Sequence, residues 1–403
     1  MTVQSIFSQL TKEEDDPIIK TMQEYTRDPN PGKIDVSIGV QKDKSGKCYE
    51  YRSIAEAKHI LAENDPGHNY TSMAGIGDFV SGAQRLIFGD DILAERGSNI
   101  ASIQAISGTG SLHIAMLFYK TIGLTEYYIG VPTWQNYGPM VKHIGGETHY
   151  YSYYDESTKS VDFKSILATL NSVPVHSVFL FQTCCHNPTG SDFTHAQWQE
   201  ISNIMKQRRL IPIFDTAYQG LGSGDLDADA WPIRYFFNQG FEFAVCQSFS
   251  KNMGLYSERV GCVHVVLQDS GYLPAVQSNL VALFRKECSF APAFGARLAA
   301  IILNNAKLEE RWRCEVKETT LRLKYLRKRV LDKLTELKTP GNWTNVVEQN
   351  GLFWFSGLTS EQNSKLIKKH VYSTSMGRVN ISGLNERNID HFCRAIDEVV
   401  REE

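Results

Sequence analysis

Seven short apolar runs recur through the middle of the chain, with helix-like stretches between them. They read IASIQAI (100–106), YYIGV (127–131), THYYSYY (148–154), SVFLFQTC (177–184), LIPIFD (210–215), FEFAVCQ (241–247) and GCVHVVL (261–267). Apolar strands alternating with helices at roughly thirty-residue spacing predict βαβ units and a mostly parallel sheet. Nearly continuous apolarity fits strands buried on both faces. From about residue 296 the pattern turns helical, with Leu and Val at helical spacing in KETTLRLKYLRKRVLDKLTEL. The tail adds a strand-like NGLFWFSGL, then GRVNISG and a closing helix, NIDHFCRAIDEVV. It reads as a second, smaller α+β lobe, expected to pack with a piece near residues 16–47. A chain of 403 residues with 42% hydrophobic residues is long enough for one large core and such a lobe.

Several function classes are disfavoured. The formal net charge is −3, and no basic stripe stands out, so nucleic acid is not an expected partner. No window approaches the length of a membrane span. The eight cysteines are scattered without a CxxC pair, which reads as reduced thiols in an intracellular protein with no metal site. The acidic N-terminal stretch resembles no targeting leader, so a cytoplasmic location is expected. The sequons at Asn69, Asn342 and Asn380 then carry little weight.

In open α/β sheets, ligands bind beyond the carboxyl ends of the strands. The first such end gives Ser107-Gly108-Thr109-Gly110, a turn into a helix where free N–H groups suit an anion. The others give Pro132-Thr133-Trp134, His186-Asn187-Pro188-Thr189-Gly190, Asp215-Thr216-Ala217-Tyr218 and Ser248 through Lys251. Each has a plain alternative: Trp134 as core, NPTG as a turn, Asp215 as a helix cap, Lys251 as a solvated surface residue. A nicotinamide site fails because the third Gly of its fingerprint is missing and Tyr128 stands where the acidic ribose partner is expected. Together, however, the ends supply an aromatic plate, an amide, a carboxylate, a phenol, hydroxyls, a lysine and an arginine. Pyridoxal phosphate needs this collection: an amine for its aldehyde, a carboxylate for its ring nitrogen, donors for its phenolate oxygen and a cup for its phosphate.

With those residues in hand, the chain resembles the class I aspartate aminotransferases, fold-type I pyridoxal phosphate enzymes. The likeness runs nearly end to end. SFSKNMGLYSERVG (248–261) carries it most specifically, supported by HNPTG, DTAYQG and GRVNISG in the same order. The resemblance implies a large domain (48–319) with a mostly parallel seven-stranded sheet between helices. It also implies a small domain from both termini (16–47 and 320–403) and an N-terminal arm (1–15) on a partner subunit. It implies that Lys251 binds the cofactor as a Schiff base and then moves the substrate proton. Asp215 pairs with the ring nitrogen; Tyr218 and Asn187 bond the phenolate oxygen; Trp134 stacks on the ring. Ser107, Gly108, Thr109, Ser248 and Arg259 hold the phosphate, and Tyr70 reaches it from the other subunit. Arg378 grips the substrate α-carboxylate, Gly39 lies over the substrate with Trp134 and Asn187 beside it, and Arg285 reads a distal carboxylate across the dimer. Lys251 must be neutral to act, so a lowered pKa is predicted.

Three departures matter. The family usually has His where this chain has Gln182 and Tyr137, both near the carboxylate that serves the ring nitrogen. After Arg285, where the family reads T-W-S-N-P-P, this chain has Glu287-Cys288-Ser289-Phe290-Ala291-Pro292. An aromatic then replaces an Asn near the side-chain pocket. The expected activity is a homodimeric transaminase moving an amino group between L-aspartate and 2-oxoglutarate in a ping-pong cycle. The alternatives are an aromatic amino acid (Tyr, Phe or Trp) transaminase using 2-oxoglutarate, dual specificity, or a non-catalytic protein that kept the fold.

Overall fold

The structure is a computed structural model describing residues 5–14 and 16–402; parts of the expected arm (residues 1–4 and 15) and Glu403 lie outside the described residues. All seven apolar runs are strands of one sheet: β1 (Ile100–Ile106), β2 (Glu126–Val131), β3 (Glu147–Ser152), β4 (Val178–Gln182), β5 (Ile211–Thr216), β6 (Phe243–Ser248) and β7 (Val260–Val266). Their order is β1-β7-β6-β5-β4-β2-β3. All pairings are parallel except those of β7, which runs against both β1 and β6. Every residue of β4, β6 and β7 is buried, as their mostly apolar sequences predict. The sheet is therefore the α/β architecture expected, with helices covering both faces.

Register decides where the chemistry falls. Gln182 pairs with Asp215, Asp215 with Cys246, and Ser248 with Gly261. The carboxyl ends of β4, β5 and β6 are thus level. Because β7 is antiparallel, its start reaches the same edge, and Val260 pairs with Ile106 at the end of β1. That pairing puts Arg259 beside Ser107, whose amide donates to the Arg259 carbonyl at 3.0 Å.

Helix α1 (Pro17–Arg27) begins at Asp16, whose carboxylate accepts from the Ile18 amide at 2.8 Å. Helix α2 (Ser107–Thr121) follows β1 directly, and α3 (Leu273–Glu287) packs on β1 and α2. The long α4 (Ala306–Glu336) is capped by Asn305 and buries Leu308, Trp312, Val316, Leu323, Leu326 and Val330 at helical spacing. Trp312 Nε1 donates to the Asn252 carbonyl at 2.6 Å, tying α4 to the residue after Lys251. Ile34–Asp35 pairs in parallel with Val371–Tyr372, and Phe353–Phe355 pairs antiparallel with Arg378–Asn380. An N-terminal segment therefore packs with the C-terminal part. Residues 5–14 are all exposed, including Ile6, Phe7 and Leu10.

Candidate active site

The strand ends enclose a cavity of about 140 Å³ whose wall includes Ser107, Trp134, Asn187, Asp215, Lys251 and Arg259. Gly108, Thr109 and Tyr218 also line it. At one end, Ser107 Oγ lies 3.1 Å from Ser248 Oγ and 2.7 Å from Ser250 Oγ. Arg259 Nη1 donates to Ser250 Oγ at 3.3 Å and to the Tyr256 carbonyl at 2.9 Å. Arg259 has no carboxylate partner among the described residues. These hydroxyls and the guanidinium surround the first turn of α2, whose free amides carry partial positive charge. The cup is an anion site by construction.

Close packing makes this cup sensitive to one methyl group. Ser107 takes a left-handed backbone (φ 59°). A Cβ on Gly261 would stand 2.6 Å from the Ser107 carbonyl carbon and oxygen, which are backbone atoms that cannot move aside cheaply. Gly261→Ala is expected to destabilise the fold by about 1–3 kcal/mol. It should also weaken phosphate-group binding. Chemical denaturation with an inorganic phosphate titration checks this; an unchanged midpoint would show that the turn gives way freely.

At the other end, Asp215 Oδ2 accepts from the Tyr137 hydroxyl at 2.5 Å, while Oδ1 has no partner among the described residues. Burial pushes the Asp215 pKa up, opposed by the Tyr137 hydrogen bond and the Lys251 charge. Lys251 Nζ sits 5.0 Å from the Tyr218 ring centre, with no hydrogen bond or ion pair among the described residues. Burial lowers its pKa; Asp215 works against this, while Arg259 and Arg378 add to it. That is the direction expected for an amine that must be neutral to act.

Arg378 lies at the mouth. Its Nη1 donates to Asn187 Oδ1 at 3.0 Å and its Nη2 to the Ser37 carbonyl at 2.8 Å. The Phe353 ring stands 4.2 Å from the guanidinium, and Nε has no partner among the described residues. Asn380 donates to the carbonyls of Ile38 and Val40, holding the turn at Gly39, where an added Cβ would stand 3.0 Å from Phe353. Trp134, Asn187 and Arg378 also line an outer cleft of about 490 Å³, with Asp16, Ile18 and Met376 opposite.

Two expected residues do not join this group. Tyr70 is 81% exposed and stacks on Phe290 with ring centres 4.6 Å apart. Arg285 is exposed, its Nη1 3.1 Å from Met73 Sδ. Neither lines the cavity or the cleft of its own chain.

Three participants went unassigned in the sequence reading. Ser250 shares the cup; its place two residues after Ser248 was the available signal. Tyr137 supports Asp215 directly. Gln182 accepts from the Asn187 amide at 2.8 Å and donates to its carbonyl at 3.0 Å, which fixes the Asn187 loop.

These features fit pyridoxal phosphate on independent grounds. An open carboxylate oxygen stands at one end, an anion cup at the other, and an amine between them.

The family described as "Aminotransferase class I and II" matches residues 31–396. A cytoplasmic aspartate aminotransferase of Dictyostelium discoideum is 39% identical over 96% of this chain and 88% of its own length. The cytoplasmic aspartate aminotransferase of Saccharomyces cerevisiae superposes with a TM-score of 0.96 at 35% identity, covering 98% of this chain and 99% of that one. An aromatic-amino-acid aminotransferase from Burkholderia pseudomallei, covalently bound to pyridoxal phosphate, also gives 0.96, at 32% identity over 98% and 100%. An amine, a carboxylate and an anion cup around one cavity, on a chain matched almost end to end, lead to one conclusion: this protein belongs to the class I and II aminotransferases, and it is a pyridoxal phosphate-dependent transaminase.

Proposed function

We propose that the protein moves the amino group of L-aspartate to 2-oxoglutarate, giving oxaloacetate and L-glutamate in two alternating half-reactions. The observation that carries the reading is the wall shared by cavity and cleft. Trp134 and Asn187 face both, so an amino acid held by Arg378 in the cleft presents its α-carbon toward Lys251.

Bound pyridoxal phosphate supplies a conjugated ring that takes up the electron pair left when a bond to that carbon breaks. The chain does the rest. Ser107, Gly108, Thr109, Ser248 and Arg259 would hold the phosphate, and Trp134 would cover the ring face. Asp215 would serve the ring nitrogen, and Asn187 and Tyr218 the phenolate oxygen. Arg378 fixes the α-carboxylate with two parallel hydrogen bonds, a geometry that a lysine cannot offer. Lys251, whose pKa burial lowers, takes the proton from Cα. Gly39 and its turn cover the substrate.

Tyr70 and Arg285 act from a second copy, and we read the protein as a homodimer with shared sites. Their outward placement supports this, since neither faces the cavity of its own chain. The exposed apolar side chains of residues 5–14 support an arm lying on the partner. Residues 16–47 with 320–403 form the smaller lobe on 48–319, joined through α4, inside which residue 320 falls. We place the protein in the cytoplasm, as its Dictyostelium and Saccharomyces relatives are named.

A second reading, an aromatic amino donor or dual specificity, draws on Phe290 and the apolar side chains Ile18 and Met376 in the cleft. Arg285→Leu separates the readings. Aspartate kcat/KM is expected to fall about 10²-fold or more, with aromatic turnover retained, because a distal carboxylate loses its charged partner. Retention of parental aspartate turnover would remove Arg285 from the reading. Co-expressed Arg285→Leu and Arg378→Leu chains should regain part of the activity, since a hybrid dimer has one site with both arginines.

A further inference from the structure

The carboxylate that serves the ring nitrogen is held in an unusual way. Tyr137 opens the helix Tyr137–His143 and is fully buried. Its hydroxyl makes the one hydrogen bond that the Asp215 side chain receives among the described residues. The ring also packs edge-on against Trp134 at 5.2 Å, and its amide donates to the Trp134 carbonyl at 3.2 Å. One residue thus braces both the ring-face plate and the carboxylate. Gln182, on the neighbouring strand end, makes no hydrogen bond to Asp215: its Oε1 accepts from the Asn187 amide, and its Nε2 donates to the Asn187 carbonyl and the Thr133 hydroxyl.

We propose that Tyr137 is a positioning residue that keeps Asp215 ionised through a donor that does not titrate near neutral pH. The phenol engages Oδ2 and leaves Oδ1 as the oxygen for the ring nitrogen. The proposal rests on the assignment of Asp215 to that nitrogen.

The charged and titratable groups around Asp215 are few. Lys251 and Tyr218 face it from the loops after β6 and β5, Cys246 from its partner position on β6, and Tyr137 from its own helix. Burial drives the Tyr137, Tyr218 and Cys246 pKa values well above neutrality and lowers that of Lys251. No histidine is among these groups. An imidazole in the place of Tyr137 would be a titrating donor, its pKa lowered by burial and raised by the Asp215 carboxylate. The phenol removes that titration.

Pyridoxal phosphate affinity measured from pH 5.5 to 9 tests the proposal on three proteins. In Tyr137→Phe the carboxylate loses its donor, so its pKa rises and its ionised fraction falls. Affinity should drop about tenfold near neutrality, and the deficit relative to the parent should shrink as the pH rises and Asp215 ionises again. Tyr137→His should add to the pH dependence of affinity a titration step that the parent lacks. A deficit in Tyr137→Phe that is the same at every pH would reduce Tyr137 to packing and overturn the proposal, as would parental affinity throughout. A parent protein that binds no pyridoxal phosphate would instead refute the cofactor assignment.

Discussion

Lys251→Ala is expected to abolish the visible absorption band of the cofactor-loaded protein and to lower kcat by at least about 10⁴-fold. Two losses combine. The amine that bonds the cofactor aldehyde disappears, and so does the base that takes the Cα proton, a role worth about 10²–10⁴-fold by itself. The fold should survive. Lys251 makes no hydrogen bond or ion pair among the described residues, and the loop around it is held by others: Trp312 donates to the Asn252 carbonyl and Asn252 Nδ2 to the Gln219 carbonyl. The phosphate cup does not use the lysine, so the variant should still bind pyridoxal phosphate, more weakly. Added methylamine should recover part of the turnover by supplying the missing base. Spectra and single-turnover rates check each point. A variant that keeps its visible band, or turns over at the parental rate, would place the chemistry on another residue.

Much of this arrangement was legible before any coordinates. The seven runs mark strands because a strand buried on both faces is mostly apolar, and the polar side chains it does bury, such as Gln104, Gln247 and His264, find hydrogen-bond partners. Ser107, Trp134, Asn187, Asp215, Tyr218 and Lys251 follow from one rule, that ligands gather at the carboxyl ends of such strands, whereas Gly39, Tyr70, Arg285 and Arg378 came only from the family resemblance. Register supplied what runs of residues could not. An antiparallel β7 brings Arg259 to the same edge as Ser107, although the two are far apart in sequence and β7 reads like its parallel neighbours. Tyr137 and Gln182 were visible as departures, but their tasks were not. Which of two neighbouring residues reaches Asp215 depends on where a helix begins, and that is set by packing around Trp134. Ser250 was hidden by its ordinariness, a third hydroxyl in a stretch that already held one assigned to the phosphate. Tyr70 and Arg285 differ from the rest: both are exposed in the single chain, and only the family resemblance gives them a place in a shared site.

Arg378 gives the second large effect. Arg378 is 5% exposed, yet the partners of its guanidinium are an amide oxygen, a backbone carbonyl and the face of Phe353, all uncharged. Burial lowers its pKa, with Tyr218 and Asp16 opposing. An isolated charge is costly to bury, by several kcal/mol even after relaxation. The neutral partners offset part of that cost, and a carboxylate arriving in the cleft offsets more. Arg378→Leu is therefore expected to lower kcat/KM by about 10²–10³-fold for the amino acid and the 2-oxo acid alike, since both carry an α-carboxylate. Stability should change by less than about 2 kcal/mol, because relief of the buried charge opposes the loss of a partner for Asn187 Oδ1 and the Ser37 carbonyl. Arg378→Lys should not rescue activity. A single ammonium cannot make two parallel bonds to a carboxylate while also holding Asn187. Steady-state kinetics with both substrates, run beside urea denaturation, separates these outcomes. A lysine variant with parental KM would show that charge alone suffices. A loss confined to the amino acid would mean that Arg378 reads something other than the carboxylate common to both substrates.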